Sequence, residues 1–455
     1  MSTIHVDEPR ASSTTLFPPP DPGRVQSNPI SDGGRFHLDR RAGFWVIAAS
    51  LAVLTAFSTA PSPLYALYQR QDGLSSITVT VVYAVYAAGI VVSLLLVGHV
   101  SDWYGRRPVL IPALLTGLAA ALVFSFSTSL PALLVARILT GLAVGAAIAT
   151  ANAYLTDLDS GPGGSPTRRS QIVSTVANVG GLAVGPLLAG LLGQYVPTEP
   201  RLTYLIFAVL LGAAVLGTAA VPEGRPVPVP RPRYRPQRLA APAGKRAQFS
   251  AGLTGAFMVF TVFGLFAGLA GAFLAGPLHL HSPALTGLAV FISFGSGALA
   301  QVTTISWSLR RLLSAGIPTL LLGLTIVVAA AWVPQPSLVL FLSGAALVGI
   351  GSGALYRGSF TLVLSTAPAT HRAGTLASFF VVGYIGLSLP VVGAGIALQF
   401  VSFKVTLLAL SILVAAGTLV ASPFLLRVPD STTKQHQRGQ LRAGSGGAHH
   451  RPPGR

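Results

Sequence analysis

The sequence contains no cysteine and few charged residues. Only 9% of its 455 residues are Asp, Glu, Lys or Arg, whereas about 25% are charged in an ordinary soluble domain. The missing cysteines exclude a disulfide framework and a thiolate metal site. No metal-ligand spacing, phosphate-binding loop or nucleophile with a matching base is present either, so we expect no metal, no cofactor and no enzymatic activity. The low charge and a hydrophobic fraction of 51% indicate a polytopic membrane protein.

Acidic residues are scarcer than basic ones, 12 against 30, which gives a formal net charge of +18. A basic chain can bind nucleic acid, but here the Lys and Arg residues lie almost wholly between apolar runs. This distribution predicts no nucleic-acid partner. It predicts instead that the basic loops are attracted to anionic lipid headgroups.

Twelve apolar stretches follow one another along the chain, each long enough to cross about 30 Å of hydrocarbon as a helix. Their predicted limits are 44–67, 77–99, 108–126, 130–154, 170–193, 202–221, 249–275, 284–306, 316–333, 337–358, 374–398 and 403–426. They predict an all-α membrane protein with six helices in residues 43–221, a basic, Pro-rich cytosolic linker at 222–248 and six helices in 249–427. The polar tails, 1–42 and 428–455, are predicted to be disordered and cytosolic.

The basic residues also predict an orientation, because Lys and Arg are enriched in cytosolic loops. With a cytosolic N-terminus, 25 of the 30 Lys and Arg residues lie in inside segments, and only Arg70, Arg201 and Lys404 lie outside. The remaining two, Arg137 and Arg357, fall within proposed spans. The sequence therefore predicts a multi-pass protein of the plasma (inner) membrane with both termini in the cytosol.

The two halves resemble distant repeats. Gly141 and Gly145 in the fourth span recur as Gly349 and Gly353 in the tenth, 208 residues later. The pair Arg106-Arg107 after the second span recurs as Arg310-Arg311 after the eighth, 204 residues later. Internal duplication of this kind is typical of secondary transporters, whose substrate site lies near the midplane between the repeats.

A short polar turn at residues 98–108, which we call the latch turn, separates the second and third spans. It carries Gly98, Asp102, Gly105, Arg106 and Arg107. Positive-inside bias explains the Arg pair but not an Asp and two Gly at these offsets. Glycine permits a tight turn and close helix approach, and the Arg pair can bridge to nearby carboxylates.

Two further patterns lie inside the spans. In the fourth span, Arg137 precedes Gly141 and Gly145, and an intramembrane charge costs at least about 2.5 kcal/mol unless it faces a cavity or a partner. The fifth span carries a run of small residues around a proline: Gly181, Gly185, Pro186 and Gly190. The proline removes a backbone hydrogen bond and bends the helix.

These three patterns resemble motifs A, B and C of the major facilitator superfamily. The chain is most similar to the twelve-helix drug:proton antiporter and sugar-efflux-like branch of that family. The resemblance implies two pseudo-symmetric six-helix bundles that work by alternating access. It implies that the latch turn holds the halves together on the cytosolic side in the outward-open state, with Asp157 at the end of the fourth span as the acidic partner of Arg106. Trp103 stands where the family usually has Arg, which predicts fewer ionic links.

The resemblance also implies roles for the other two motifs. Arg137 is expected to serve proton coupling or the binding cavity; the alternative is a structural arginine satisfied by backbone carbonyls. Motif C favours export, and its small residues are expected to press against a helix of the other half. Gly141 and Gly145 of motif B are expected to be packing residues rather than ligands.

No carboxylate lies in the middle of a span, because the acidic residues between 44 and 426 all fall at loops or helix ends. This favours neutral or weakly anionic substrates over cations and leaves proton coupling to Asp102, another loop carboxylate or His99. Candidates for the substrate cavity are the polar or aromatic residues within the spans: Asn152, Asn178, Gln301, Tyr356, Tyr384, Phe260, Phe263, Thr55, Ser58, Tyr83 and Tyr86. Asn178 and Gln301 are the stronger candidates, because a buried amide needs a partner. Arg357 is expected to be a gate or a headgroup contact.

The function predicted from the sequence is secondary transport. The preferred hypothesis is a monomeric exporter of a small neutral or weakly anionic amphipathic solute or drug, with protons as a possible coupling ion. The first alternative is an importer or facilitator of a sugar or metabolite, which the motif C pattern argues against. The second is a membrane sensor that uses the same fold without transport.

Overall fold

The computed structural model describes residues 38–71, 73, 75–98, 100–196, 201–224, 234, 236, 237, 239, 245–367 and 372–427. Most of both tails and most of the linker, for which the sequence predicts disorder or a solvated loop, lie outside the described residues. All regular secondary structure in the described part of the chain is helical. The predicted all-α class is therefore confirmed.

The described residues form fifteen α-helices and one π-helical turn at Val176–Gly180. The α-helices are α1 (Arg40–Thr59), α2 (Pro61–Gln71), α3 (Ser76–Val97), α4 (Ser101–Tyr104), α5 (Arg107–Phe126), α6 (Leu130–Ser160), α7 (Arg168–Thr175), α8 (Gly181–Tyr195), α9 (Arg201–Ala220), α10 (Arg246–Ala275), α11 (Pro283–Thr303), α12 (Leu309–Trp332), α13 (Leu338–Thr366), α14 (Arg372–Ala397) and α15 (Phe403–Leu426).

These helices include twelve that are long and apolar enough to cross a membrane, the number that the sequence predicts. Helices α1 and α2 form the first span, and α7, the π turn and α8 form the fifth. Helix α4 is a single turn within the latch turn. Each remaining helix is one span. We call the membrane face that carries the latch turn the latch face.

Several helices are longer than the sequence predicts. The first begins at Arg40 rather than at residue 44, α6 ends at Ser160 rather than 154, α12 begins at Leu309 rather than 316, and α13 ends at Thr366 rather than 358. The predicted limits stop where polar side chains begin. Backbone hydrogen bonds along a helix do not need apolar side chains, so these helices continue past the hydrocarbon layer.

Hydroxyl and carboxylate side chains fix where many of the helices begin. Each accepts a hydrogen bond from a backbone N–H in the first turn, which would otherwise be unsatisfied. The residues that cap helix N-termini in this way are Asp39, Ser75, Thr167, Ser282, Ser308, Ser337 and Ser402. Ser308 explains the early start of α12, because its Oγ accepts from the N–H of Arg311 at 3.4 Å.

The internal repeat is visible in how glycines bring helices together. In the first half, α3 and α6 approach so closely that a Cβ on any of three glycines would collide with the facing helix, and in the second half α11 and α13 do the same. The matched pairs are Gly89 and Gly297, Gly141 and Gly349, and Gly145 and Gly353. All three pairs are 208 residues apart. Small residues at such crossings permit the backbone contact that holds membrane helices together.

In the described part of the chain, two seams make most of the contact between the halves. In one, α8 of the first half packs against α11 of the second; in the other, α3 packs against α14. The α8–α11 seam includes a hydrogen bond of 2.9 Å from Ser282 Oγ to Gln194 Oε1, on the face opposite the latch turn. Any movement of one half against the other must change these seams.

Candidate transport site

The latch turn is held by the buried guanidinium of Arg106. Its Nε lies 2.9 Å from Oδ2 of Asp157, and its Nη1 lies 2.8 Å from Oδ1 of Asp102. Nη1 also donates to Ser101 Oγ at 2.9 Å. The side chain of Asp157 is buried and that of Asp102 is about half exposed, at 51%. The predicted pairing of Arg106 with Asp157 is thus present, and it ties the turn to the end of α6.

A third carboxylate, Glu223, holds the latch turn through its backbone. Its Oε1 accepts from the N–H of Arg106 at 2.8 Å, and its Oε2 accepts from the N–H of Arg107 at 3.1 Å. A carboxylate is favourable at this helix N-terminus, where N–H groups lack intrahelical partners. Gly105 has a φ of +101°, and a Cβ there would lie 2.9 Å from Glu223 Oε2. A glycine at 105 therefore serves both the turn and this contact.

The sequence did not assign Glu223 to the latch. It follows α9 at the start of the linker, and nothing in its local pattern indicates that α9 ends beside α5. Three other residues of the latch turn have simpler surroundings. Gly98 caps the end of α3, and Arg107 and Trp103 are half-buried, the latter in α4.

Asp157 also gathers other segments on the latch face. Its backbone carbonyl accepts from Nη2 of Arg40 at 2.6 Å, and its Oδ1 accepts from the N–H of Gly163 at 3.3 Å. Nearby in the chain, Tyr154 Oη donates to the carbonyl of Pro222 at 2.6 Å. The end of α6 thus connects the start of α1, the latch turn and the start of the linker.

These contacts predict that Asp157 and Asp102 contribute unequally to stability. Asp157→Asn leaves the buried Arg106 without its buried counter-charge, which costs about 3 kcal/mol. Asp102→Asn removes a half-exposed partner and costs about 1 kcal/mol or less. We expect thermal unfolding of the purified protein to show a clearly lower midpoint for Asp157→Asn than for Asp102→Asn. Equal midpoints would show that the latch turn does not depend on the buried pair.

Arg137 lies almost fully buried among α1, α3 and α6, with 1% of its surface exposed. Its Nε donates to Tyr65 Oη at 2.5 Å, and its Nη1 donates to the carbonyl of Ser58 at 2.8 Å. Aromatic rings surround it: the guanidinium carbon lies 5.2 Å from the ring centroid of Tyr65 and 5.6 Å from that of Tyr86. Nη2 has no hydrogen-bond partner in the described part of the protein.

The glycines of motif C face two different neighbours, which corrects the expectation that they all press against the other half. A Cβ on Gly181 or Gly185 would collide with α1, in the same half. Only the later part of the motif meets the second half: a Cβ on Gly190 would collide with Pro283, and the carbonyl of Pro186 faces Gly287. Helix α8 is inclined so that its latch-face end packs inside its own half.

A cavity of about 250 Å³ opens between the halves toward the face opposite the latch turn. Polar residues from both halves line it, namely Ser62, Tyr65, Thr80, His281, Ser282 and Thr286. Ser62 Oγ is buried and has no hydrogen-bond partner within the described residues. Tyr65 both lines this cavity and holds Arg137, so it connects the buried charge with a space that a solute can enter.

The predicted cavity aromatics of the second half form one cluster. The ring centroid of Phe260 lies 5.1 Å from that of Tyr384, 6.2 Å from that of Phe263 and 6.3 Å from that of Tyr356. Phe263 in turn packs edge-to-face on Phe294 at 4.7 Å. The structure therefore brings together four residues that the sequence could only name one by one.

The predicted amide candidates differ in their surroundings. The Oδ1 atoms of Asn152 and Asn178 are buried and unpartnered among the described residues. Asn178 lies in the π-helical turn, and such turns are frequent at functional sites. Gln301 lies half-buried in the last turn of α11, near the latch face. His99, the weaker proton-carrier candidate, lies outside the described residues.

Three of the other candidates donate hydrogen bonds from their polar groups to backbone carbonyls. Thr55 Oγ1 donates to the carbonyl of Ala177 at 3.0 Å, and Ser58 Oγ donates to that of Thr55 at 2.7 Å. Arg357 donates to the carbonyls of Thr304 and Ile305 at 2.6 and 2.8 Å, just past the end of α11. Arg357 thus caps the end of α11 in this structure, and its role as a gate or headgroup contact stays a prediction. Tyr83 is buried in α3.

The Arg310-Arg311 pair, which repeats the Arg pair of the latch turn in the second half, has different surroundings. Arg310 and Arg311 are exposed at the start of α12. The guanidinium of Arg311 lies 4.4 Å from the ring centroid of Trp307, an arrangement that stabilises a cation over an aromatic face. Within the described residues, no group of three or more His, Asp or Glu side chains could hold a metal ion.

Comparison with known proteins extends across most of the chain. A family model described as Major Facilitator Superfamily matches residues 45–389. The chain belongs to the major facilitator superfamily. Members of this family are membrane transporters rather than enzymes, and the predicted two-bundle fold is confirmed by structures of other members.

Two solved structures share the fold of this major facilitator superfamily protein. The human organic anion transporter MFSD10 (TETRAN) matches with a TM-score of 0.61 and 16% identity, over 85% of this chain and 100% of that one. The nucleoside transporter NupG matches with a TM-score of 0.62 and 12% identity, over 85% of this chain and 99% of that one. At these identities the likeness shows the fold alone.

Two sequence relatives of this major facilitator superfamily protein are resistance proteins. The class H tetracycline resistance protein of Pasteurella multocida is 38% identical over 116 residues, which is 25% of this chain and 28% of that protein. Multidrug resistance protein D of Escherichia coli strain K12 is 33% identical over 147 residues, 31% of this chain and 35% of that protein. The matched stretches span about a third or less of these relatives.

Proposed function

We propose that this protein is a secondary transporter that exports a small, neutral or weakly anionic, amphipathic organic solute by alternating access. It works as a monomer in the plasma membrane, with the latch face and both termini in the cytosol. The orientation rests on the distribution of Lys and Arg, of which 25 lie in segments on the latch-face side and three on the other. Such a bias sets the orientation of membrane proteins.

The observation that carries this proposal is the uncompensated charge of Arg137. The guanidinium is buried, and Nη2 has no partner among the described residues. The acidic residues between 44 and 426 all fall at loops or helix ends. A solute that brings a hydrogen-bond acceptor or a negative charge satisfies Nη2, whereas a cation is repelled at this position. The substrate preference follows from that asymmetry.

Aromatic side chains support the amphipathic part of the proposal. The cluster of Phe260, Phe263, Tyr356 and Tyr384 gives the second half a surface of flat, mostly apolar rings. Sites for small organic molecules combine such apolar walls with a few polar groups that orient the ligand. In this protein the first half supplies the buried charge of Arg137, and the second half supplies the cluster of rings.

The direction of transport rests on the motif C pattern and on the names of the relatives. Gly181, Gly185, Pro186 and Gly190 match the pattern that favours export. The tetracycline resistance protein of Pasteurella multocida and multidrug resistance protein D of Escherichia coli are named for resistance, and export of a toxic compound is a route to resistance. These relatives match only part of their own length, so the direction is tested separately below.

Alternating access requires that contacts at each face form and break in turn. At the face opposite the latch turn, Ser282 bonds to Gln194, and Gly287 lies against Pro186. At the latch face, Arg106 links Asp102 and Asp157. We propose that the latch turn favours the state open to the outside, so that Asp102→Asn lowers transport while leaving membrane insertion intact.

The test of substrate class is a thermal-shift screen of the purified protein. A solute that binds the folded state raises the unfolding midpoint. The panel pairs each organic acid with its neutral amide and with a cationic amine of the same skeleton. Stabilisation by acids or amides, without stabilisation by the matched amines, supports the proposal. Stabilisation confined to the amines contradicts it.

The test of direction uses a stabilising solute from that screen in radiolabelled form. Inverted and right-side-out membrane vesicles are compared under the same ion gradients. An exporter accumulates the solute in inverted vesicles, since their exterior corresponds to the cytosol. Accumulation only in right-side-out vesicles would identify an importer, and equal, non-accumulating entry in both would identify a facilitator.

A further inference from the structure

The end of α3 poses a problem of hydrogen bonding, because the last four carbonyls of a helix have no partner within it. Two of them are satisfied locally. The carbonyl of Leu94 accepts from the N–H of Gly98 at 3.2 Å, and that of Val97 accepts from the N–H of Val100 at 2.9 Å. Both donors belong to the turn that follows the helix.

Two residues of the central linker donate to the next two carbonyls, those of Leu95 and Leu96. The backbone N–H of Gln237 donates to the carbonyl of Leu95 at 2.8 Å. The hydroxyl of Tyr234 donates to the carbonyl of Leu96 at 3.0 Å. These contacts cross about 140 residues of sequence and tie the linker to the end of α3. The linker is therefore not only a solvated connection between the halves.

Gln237 also reaches a cavity of about 230 Å³ between the two halves. The first half contributes Ala149, Ala153 and the latch residues Ser101, Asp102 and Arg106, and the second half contributes Leu376, Ala377 and Phe380 of α14. This cavity lies at the latch face, on the α3–α14 seam. A residue in this cavity keeps the two halves apart at the latch face. It also blocks the path of a solute through the cavity.

We propose that Tyr234 and Gln237 form a strap that docks on the end of α3 and covers the latch-face mouth of the transporter. The docked strap holds Gln237 in the inter-half cavity and restricts access to it. Release of the strap opens the cavity and frees the Leu95 and Leu96 carbonyls to water. The linker thereby controls the rate at which the latch face becomes accessible, independently of the direction of transport and of the substrate.

The test measures access to the cavity with a thiol reagent and needs no substrate. The chain has no cysteine, so Ala153→Cys introduces a single reactive group on the cavity wall. The double variant Tyr234→Phe, Gln237→Pro removes both strap donors, the hydroxyl and the N–H. Two hydrogen bonds of ordinary net strength shift an opening equilibrium about ten-fold. We expect a maleimide to label Ala153→Cys in purified, detergent-solubilised protein about ten times faster in the double variant.

Two matched controls accompany this measurement. Leu239→Pro introduces the same ring at an exposed linker position, and it should leave the labelling rate of Ala153→Cys unchanged. Ser160→Cys places a thiol at the exposed end of the same helix, and its labelling rate should be equal with and without the strap substitutions. An unchanged or slower labelling of Ala153→Cys in the double variant overturns the proposal.

A second experiment keeps the proposal falsifiable if the double variant does not fold. Gln237→Cys and Ala153→Cys are combined in the otherwise unchanged protein and treated with a short bismaleimide. Because both residues line the same cavity, we expect an intramolecular cross-link that is lost when Leu239→Cys replaces Gln237→Cys. Failure of the Gln237→Cys pair to cross-link overturns the docked strap even if the protein transports a solute as proposed.

Discussion

Replacing Gly185 with alanine is expected to destabilise the first half severely. A Cβ at this position would overlap the backbone carbonyl of Ala56 in α1, and a backbone group cannot turn aside as a flexible side chain can. Helices α1 and α8 must separate, and overpacking of this kind costs about 3 kcal/mol. Expression in membranes and the thermal unfolding midpoint of the purified protein measure the effect.

Gly212→Ala is the matched control for this prediction. Gly212 also lies within a membrane span, α9, but a Cβ there would meet nothing within 4 Å. Alanine in the middle of a helix is favoured over glycine by roughly 0.5–1 kcal/mol, so we expect an unchanged or slightly higher midpoint. If both substitutions had the same effect, close contact between α1 and α8 would not be what Gly185 provides.

Replacing Arg137 with glutamine is expected to weaken solute binding more than any other single substitution in the cavity. The solute is the one that gives the largest thermal stabilisation of the unaltered protein. Glutamine keeps a donor but removes the charge, and a hydrogen bond to a charged group contributes about 1.5–3 kcal/mol. We therefore expect the dissociation constant to rise by roughly ten- to hundred-fold. Titration of the unfolding midpoint with that solute gives both constants.

The control is the other arginine within a span. Arg357→Gln removes the donors that cap α11 at Thr304 and Ile305. It should lower stability without changing the affinity for the solute. Unchanged affinity in Arg137→Gln as well would return Arg137 to a purely structural role, in which its bonds to Tyr65 and Ser58 hold α6 against α1.

The sequence predicts the membrane spans well because their signal is local. An apolar stretch of sufficient length must form a helix in a bilayer, since no water is present to satisfy its backbone. Helix ends are predicted less well. The last turns of α6 and α13 and the first turn of α12 extend into polar sequence, and their limits depend on caps such as Ser308 and on contacts such as that of Arg106 with Asp157.

The sequence predicts those site contacts that pair opposite charges within a known motif. It does not predict contacts that depend on which helices pack side by side. Arg106 was matched with Asp157 because the resemblance to motif A supplied the partner. Glu223 was not assigned, since its role follows from the packing of α9 beside the start of α5. The prediction that the motif C glycines contact the other half is wrong in part for the same reason. A helical repeat of small residues does not indicate which neighbouring helix each of them contacts. By contrast, the 208-residue offset between glycines predicts an internal repeat, and the glycine contacts of the two halves follow the same offset.

The buried charge of Arg137 also has an electrical consequence. It lies seven residues, about 10 Å of helix, from the start of α6, so part of the transmembrane voltage acts on it. Moving a full unit charge through that voltage takes about 2.3 kcal/mol per 100 mV. An anionic passenger paired with the guanidinium cancels this charge, while the empty carrier retains it. For an anionic solute of the proposed class, we therefore expect the membrane potential to act mainly on the return of the empty carrier, whereas for a neutral solute it acts on the loaded carrier as well.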